Sequence, residues 1–193
     1  MGYRIPAFEL RPYMNVVELA KTRVMPLTGQ PYSFDMTPYF EEPCRFLDDV
    51  ASTCRVVISA PSQSGKSEIM LNFVAHIAIY DPAPSLLIMD TSNNSYKFSS
   101  GRVKPLLRDF VKLPAFEDTS ISNRNDDKKK AVSEYSLSNN SPLYIGGSVS
   151  LSDLCSKPCK YLVLDELARF YEGKEGSSVD LALKRQMRFR GMA

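Results

Sequence analysis

Eight consecutive residues, Ala60, Pro61, Ser62, Gln63, Ser64, Gly65, Lys66 and Ser67, fit the phosphate-loop pattern GxxxxGK[ST] at every fixed position except the first, where alanine replaces glycine. A loop of this kind aims backbone N–H groups at a phosphate, and the helix that follows adds the positive end of its dipole. Gly65 permits close approach, Lys66 can reach the β- and γ-phosphates as a point charge, and the Ser67 hydroxyl can serve as one ligand of magnesium. The alanine at position 60 costs only a Cβ where the loop begins. Asp165 and Glu166 follow a short apolar run. Asp165 suits a magnesium ion held through water, and Glu166 suits the polarisation of a water for in-line displacement at a γ-phosphate. Together these residues point to ATP and magnesium as ligands. The plain alternatives are a structural turn at 60–67 and two solvated acids at a strand end. Asp90 also ends an apolar run, but no second acid stands beside it, and it reads as structural.

The elements that must position these groups can be read from periodicity and turn chemistry. Residues 55–60 form a short β-branched run, and residues 69–80 an apolar helix, so the loop lies between strand and helix, the context its pattern requires. Asp81, Pro82 and Pro84 end that helix, and residues 85–90 make a second buried strand that should return to a parallel sheet. Residues 92–109 carry helical spacing, with a break expected at Gly101 and Pro105. Residues 134–137 and 143–145 read as a hairpin, residues 161–164 as a third buried strand, and residues 178–190 as a final helix with Lys184, Arg185, Arg188 and Arg190. A helix should start at Thr37, capped by it, with Pro38 in the first turn. Residues 1–35 read as an irregular lead-in whose one helical stretch is near 14–23, and residues 123–130 as an exposed loop.

Composition narrows the function classes. The 193 residues are 44% apolar and 24% charged, enough for one substantial core, and the net charge of +2 does not by itself indicate a nucleic-acid partner. No apolar stretch approaches the roughly 18 residues of a membrane span, and no basic segment leads into an apolar block at the start, so an intracellular protein is expected. Four cysteines without such a leader suggest reduced thiols, and their spacings do not match zinc sites. Glu68, Asn72 and His76 recur every four residues, a polar stripe that places the lone histidine on a helix surface.

Read in order, these motifs resemble those of the large terminase subunit of tailed phages, in its lambda-type branch. Thr37, Pro38 and Tyr39 with Glu42 and Pro43, the loop at 60–67, residues 86–90 followed by Phe98 and Arg102, Gly146 and Gly147 with 148–154, and residues 161–166 stand in the family's order. The resemblance implies an α/β fold of the P-loop NTPase class, ASCE-like, with a mainly parallel sheet flanked by helices. It implies the ATPase motor region of a machine that packages double-stranded DNA into procapsids, with a small terminase subunit, a portal protein and a homo-oligomeric ring as partners, in the host cytoplasm and without a membrane. It implies that Tyr39, with Pro31 and Tyr32, contacts adenine and that Arg102 approaches the γ-phosphate. The family's coupling motif and nuclease domain would follow Ala193. The expectation is therefore a lead-in over 1–35 and an ATPase domain over 36–193 that stops before both, with weak or absent turnover in isolation. Two other readings fit the same residues: a fragment of another nucleic-acid translocase or helicase, and a nucleotide-binding interaction module without catalysis.

Overall fold

The computed structural model describes residues 12–48, 55–112, 132–149, 157–170, 172–173 and 176–187. Its centre is a sheet of four strands, β1 (Ser85–Met89), β2 (Val132–Ser136), β3 (Pro142–Gly147) and β4 (Tyr161–Leu164), in the order β2-β3-β1-β4. β1 runs parallel to both neighbours, with Leu87 opposite Ile145 on one side and Val163 on the other. β2 is antiparallel to β3 through the expected hairpin, whose turn places Asn140 in the left-handed region at φ 63°. Every residue of β1 is buried, as a strand covered on both faces should be.

Helices cover both faces. α3 (Lys66–Tyr80) packs Leu71, Val74, Ala75 and Ala78 against Leu87, Met89, Leu143 and Ile145. Leu86 and Ile88 point the other way, toward Cys159 and Ala182 of α5 (Ser178–Leu183). A two-residue hairpin, β5 (Glu172–Gly173) with β6 (Gly176–Ser177), leads into α5. The helical stretch after β1 begins as α4 (Ser92–Phe98), capped by Thr91 Oγ1 on Asn94 N. It does not break at Gly101 and Pro105 but widens into π-helical turns at Ser99–Val103 and Leu106–Val111, which keep Val103, Leu106 and Leu107 in the core. The final helix is shorter than expected, with a 3-10 turn at Lys184–Gln186 after α5; Arg188 and Arg190 lie outside the described residues, as does the loop expected at 123–130.

Residues 55–60 depart from expectation. They form no strand within the described residues; Ile58 and Ala60 instead pack on a cluster containing Phe40, Cys44 and Ile69, while Val57 is exposed. Side-chain burial on the preceding segment, rather than a backbone ladder, holds this stretch. That cluster also holds Val16, Val17 and Ala20 of α1 (Val16–Lys21), Tyr32 and Phe34, so the lead-in shares a core with the residues that follow it. α1 starts with a capping box between Asn15 and Glu18. Thr37 opens a 3-10 turn, Pro38–Phe40, and makes no side-chain cap; α2 (Glu41–Phe46) follows. Cys44 and Cys159 are free and buried, and burial pushes both thiols up to about 12.

The polar stripe on α3 faces the lead-in, not solvent. His76 is 2% exposed and Asn72 1%. Arg23, fully buried, donates from Nε to Asn72 Oδ1 at 2.7 Å and from Nη2 to Glu68 Oε2 at 2.6 Å, with its guanidinium over the Tyr32 ring. His76 Nε2 donates to the Met14 carbonyl at 3.1 Å, between the rings of Tyr13 and Tyr80. Periodicity revealed the stripe but not its cover. Burial holds the His76 pKa below its ordinary value, against the opposing pull of Asp48.

Because the folded pKa is depressed, the unfolded chain takes up the proton first as pH falls below about 6.5, and stability is lost from there toward the folded value. His76 is the only histidine. The thermal midpoint should therefore fall between pH 7.5 and 5.5 by more in the native chain than in His76→Gln; parallel pH profiles would refute this assignment. A second expectation concerns Gly147, where a Cβ would lie 2.3 Å from Ser92 N and 2.6 Å from Thr91 C. Gly147→Ala should cost about 2 kcal/mol or more, as backbone must move. A Cβ at Gly101 meets nothing within 4 Å, and Gly101→Ala should be neutral or gain a few tenths of a kcal/mol. Denaturant midpoints of the two variants check the pair.

Candidate functional site

The loop and the acids meet at one edge of the sheet. Gly65, at φ 94°, precedes the first residue of α3, and Gln63 is also left-handed at φ 59°. This twist turns the chain from the extended segment into a fifteen-residue helix whose first N–H groups face away from its own carbonyls. Lys66 opens the helix and Ser67 follows. Tyr39 donates its hydroxyl to the Ser64 carbonyl at 3.2 Å, while Thr37 Cγ2 lies 3.4 Å from where a Cβ on Gly65 would stand. The segment before the loop thus braces it.

β1 and β4 are parallel, with Ile88 opposite Leu164 and β1 running one residue further, so the acids that follow them, Asp90 and Asp165, emerge at the same end of the sheet one residue out of step. Asp165 N donates to the Ile88 carbonyl at 2.9 Å, and Asp90 is among the charges that act on Asp165. Asp165 is 8% exposed. Burial first, then the neighbouring Glu166 carboxylate, pushes its pKa up, while Lys66 opposes them. Lys66 Nζ stands 3.9 Å from Glu166 Oε1, which brings the lysine of the loop and the second acid together. Glu166 has left-handed backbone, φ 55° and ψ 50°. The groups near this point offer hard oxygens; burial first and the neighbouring carboxylates second disfavour the Asp165 anion, and Asp165 with the Ser67 hydroxyl are the oxygens that could hold a divalent cation such as magnesium.

Beside the loop lies a cleft of about 660 Å³ lined by Tyr39, Phe40, Pro43, Phe46 and residues 56–61 with Ser64. Tyr39 is exposed on its wall. Tyr32 is instead buried beneath Arg23 and does not reach the cleft. Arg102 points to the first turn of α3, with Nη1 3.7 Å from Glu68 Oε1 and its guanidinium over the Phe98 ring.

The sequence model for the ATPase domain of phage terminase large subunit gpA matches residues 28–192. The chain belongs to that family. No curated protein and no solved structure matches it. Membership carries ATP use in general, and the mixed α/β architecture with a helix-flanked sheet agrees with an ATPase domain. Among the described residues no helix is long and apolar enough to cross a membrane.

Two groups at this edge carry no functional role in the sequence reading. Asp90 reads as structural there, yet parallel register sets it beside the two other acids. Arg169 has Nη1 3.1 Å from Glu166 Oε2 and 3.8 Å from Asp90 Oδ2. No residue-type pattern marks either; their meeting follows from strand register and the turn after Glu166.

The raised Asp165 pKa makes a sign-specific prediction. A carboxyl that binds its proton more tightly when folded favours the fold at low pH and loses that contribution as pH rises through the folded value, so at pH 7.5 Asp165 opposes folding of the ligand-free chain. Asp165→Asn should raise the thermal midpoint at pH 7.5 in EDTA, by an amount that shrinks toward pH 4, and should weaken magnesium-dependent ATP binding. A midpoint below that of the native chain at pH 7.5 would refute it.

Proposed function

We propose that this chain is the ATP-hydrolysing motor region of a viral large terminase subunit, a P-loop NTPase of the ASCE type that powers translocation of double-stranded DNA into procapsids. In this reading residues 36–193 are the ATPase portion and 1–35 its lead-in. The observation that carries it is the 3.9 Å approach of Lys66 to Glu166, which joins the loop and the acid pair at the ends of parallel strands, where ligands of such sheets bind. Family membership supports the DNA-packaging role, with a small terminase subunit, a portal protein and a ring of like subunits as partners in the host cytoplasm.

The residues divide the work as follows. Backbone N–H groups over 60–67 and the start of α3 receive the phosphates, and Lys66 places its charge between the β- and γ-phosphates. Ser67 and Asp165 hold magnesium, which when bound neutralises charge on the phosphate oxygens. Glu166 orients a water opposite the leaving oxygen and takes its proton as the γ-phosphoryl passes to it. The adenine occupies the apolar cleft against Tyr39, whose ring offers a stacking face. Arg102, on leaving Glu68, supplies charge to the transferring phosphoryl group.

Two substitutions separate binding from chemistry. Lys66→Ala should abolish ATP binding in a fluorescent-nucleotide titration. Glu166→Gln keeps shape without the ability to accept a proton, so it should retain ATP and lose hydrolysis by at least about a hundredfold in the full-length subunit. Unchanged affinity in the first, or unchanged turnover in the second, would refute the assignment concerned.

A further inference from the structure

Arg169 has no part in the roles above, yet among the described residues it is the cation closest to Glu166. The cause is local. After the left-handed Glu166 the chain closes a 3-10 turn, Leu167–Arg169, in which Arg169 N donates to the Glu166 carbonyl at 2.8 Å. Residues three apart eclipse one another in such a turn, so the Arg169 side chain returns over the Glu166 carboxylate. Its Nη1 lies 3.1 Å from Oε2.

Asp90 is the fixed post at the other end. Its Oδ1 accepts from Thr91 N at 2.7 Å and from Asn94 Nδ2 at 2.8 Å, and its carbonyl accepts from Ser148 Oγ at 2.6 Å. The remaining oxygen, Oδ2, is the one that Arg169 meets, at 3.8 Å. Glu166 is therefore approached at both oxygens, Oε1 by Lys66 and Oε2 by Arg169.

Folding stability does not account for this arrangement. The Arg169 side chain is 67% exposed, where solvent screens an ion pair and little is gained. A carboxylate that must meet a water in line with a phosphorus atom does gain from being held in one orientation. We propose that Arg169, steered by Asp90, is a positioning residue that holds Glu166 with Oε1 turned toward the phosphate loop; this rests on Glu166 as the water-orienting group. When ATP draws Lys66 onto its phosphates, Arg169 is the cation that stays on Glu166.

The test uses the 193-residue chain with magnesium and compares its affinity for ADP–aluminium fluoride, which holds a water in the attacking position, with its affinity for a fluorescent ATP analogue. Arg169→Ala should weaken ADP–aluminium fluoride on the order of 10- to 100-fold and change ATP-analogue affinity less than twofold, with Arg169→Lys recovering part of the loss. In the full-length subunit the same variant should lower kcat with KM unchanged. If Arg169→Ala weakens both ligands equally, or neither, while Glu166→Gln still loses ADP–aluminium fluoride, the positioning role is overturned and the Glu166 reading stands. If Glu166→Gln binds both ligands as the native chain does, the reading of Glu166 falls, and the role of Arg169 with it.

Discussion

Carboxylates from two neighbouring strands, Asp90 after β1 and Asp165 with Glu166 after β4, crowd one edge of the sheet, and everything around them answers to their mutual repulsion. Parallel pairing brings the acids together, because strands that run the same way and end within one residue of each other deliver their following residues to the same end of the sheet. The chain offsets it from outside the sheet. Asn94 and the Thr91 N–H satisfy one oxygen of Asp90, Lys66 comes from the helix that begins at the loop, and Arg169 comes from the turn beyond Glu166. Asp165 is buried beside Glu166, and burial first, then that neighbouring carboxylate, raise its pKa.

α3 carries that edge into the body of the protein. One face of the helix lies in the main apolar cluster with the sheet, and its polar stripe is covered by the lead-in. The buried Arg23 pairs with the half-buried Glu68 at 2.6 Å, and removing Glu68 would leave the Arg23 charge stranded inside. Glu68 lies two residues past Lys66 and also meets Arg102 at 3.7 Å. The first turn of the helix is thereby tied to the lead-in on one side and to the widened helix after α4 on the other. A movement of the loop cannot leave either contact undisturbed.

What the sequence disclosed and what it hid divide along a physical line. The loop pattern, the strands at 85–89 and 161–164 and the hairpin around 138–142 are legible because each depends on neighbours along the chain, apolar runs, turn formers and a glycine before a lysine; of the two strands only the first is buried throughout, and in the second, at the edge of the sheet, Tyr161 alone is buried. Residues 55–60 have strand composition, but a strand needs a distant backbone edge, which composition does not announce. Gly101 and Pro105 read as a break, and the helix instead absorbs them in π turns because Val103, Leu106 and Leu107 still find the core. The polar stripe puts His76 at a surface, because such a stripe ordinarily faces water; Arg23, on Asn72, and the Met14 carbonyl, on His76, far off in sequence, make burial tolerable. Asp90 looked alone since its companions are neighbours only through register.

The backbone at Glu166 shows why residue type and local shape had to be chosen together. Left-handed backbone costs a residue with a Cβ about 1 kcal/mol or more, and glycine is the usual remedy. Gly65 takes that remedy at φ 94°, with Thr37 and Phe40 only at van der Waals distance from where a Cβ would stand. Glu166 does not take it, at φ 55°, because glycine there would remove the carboxylate along with the strain. A residue with ordinary backbone would keep the carboxylate but send the chain onward instead of folding it into the 3-10 turn, and Arg169 would leave Glu166 and Asp90. The strained conformation and the cation above the acids are thus one feature: the bend that carries the chain out of the sheet is the bend that returns positive charge to the place where three negative groups meet.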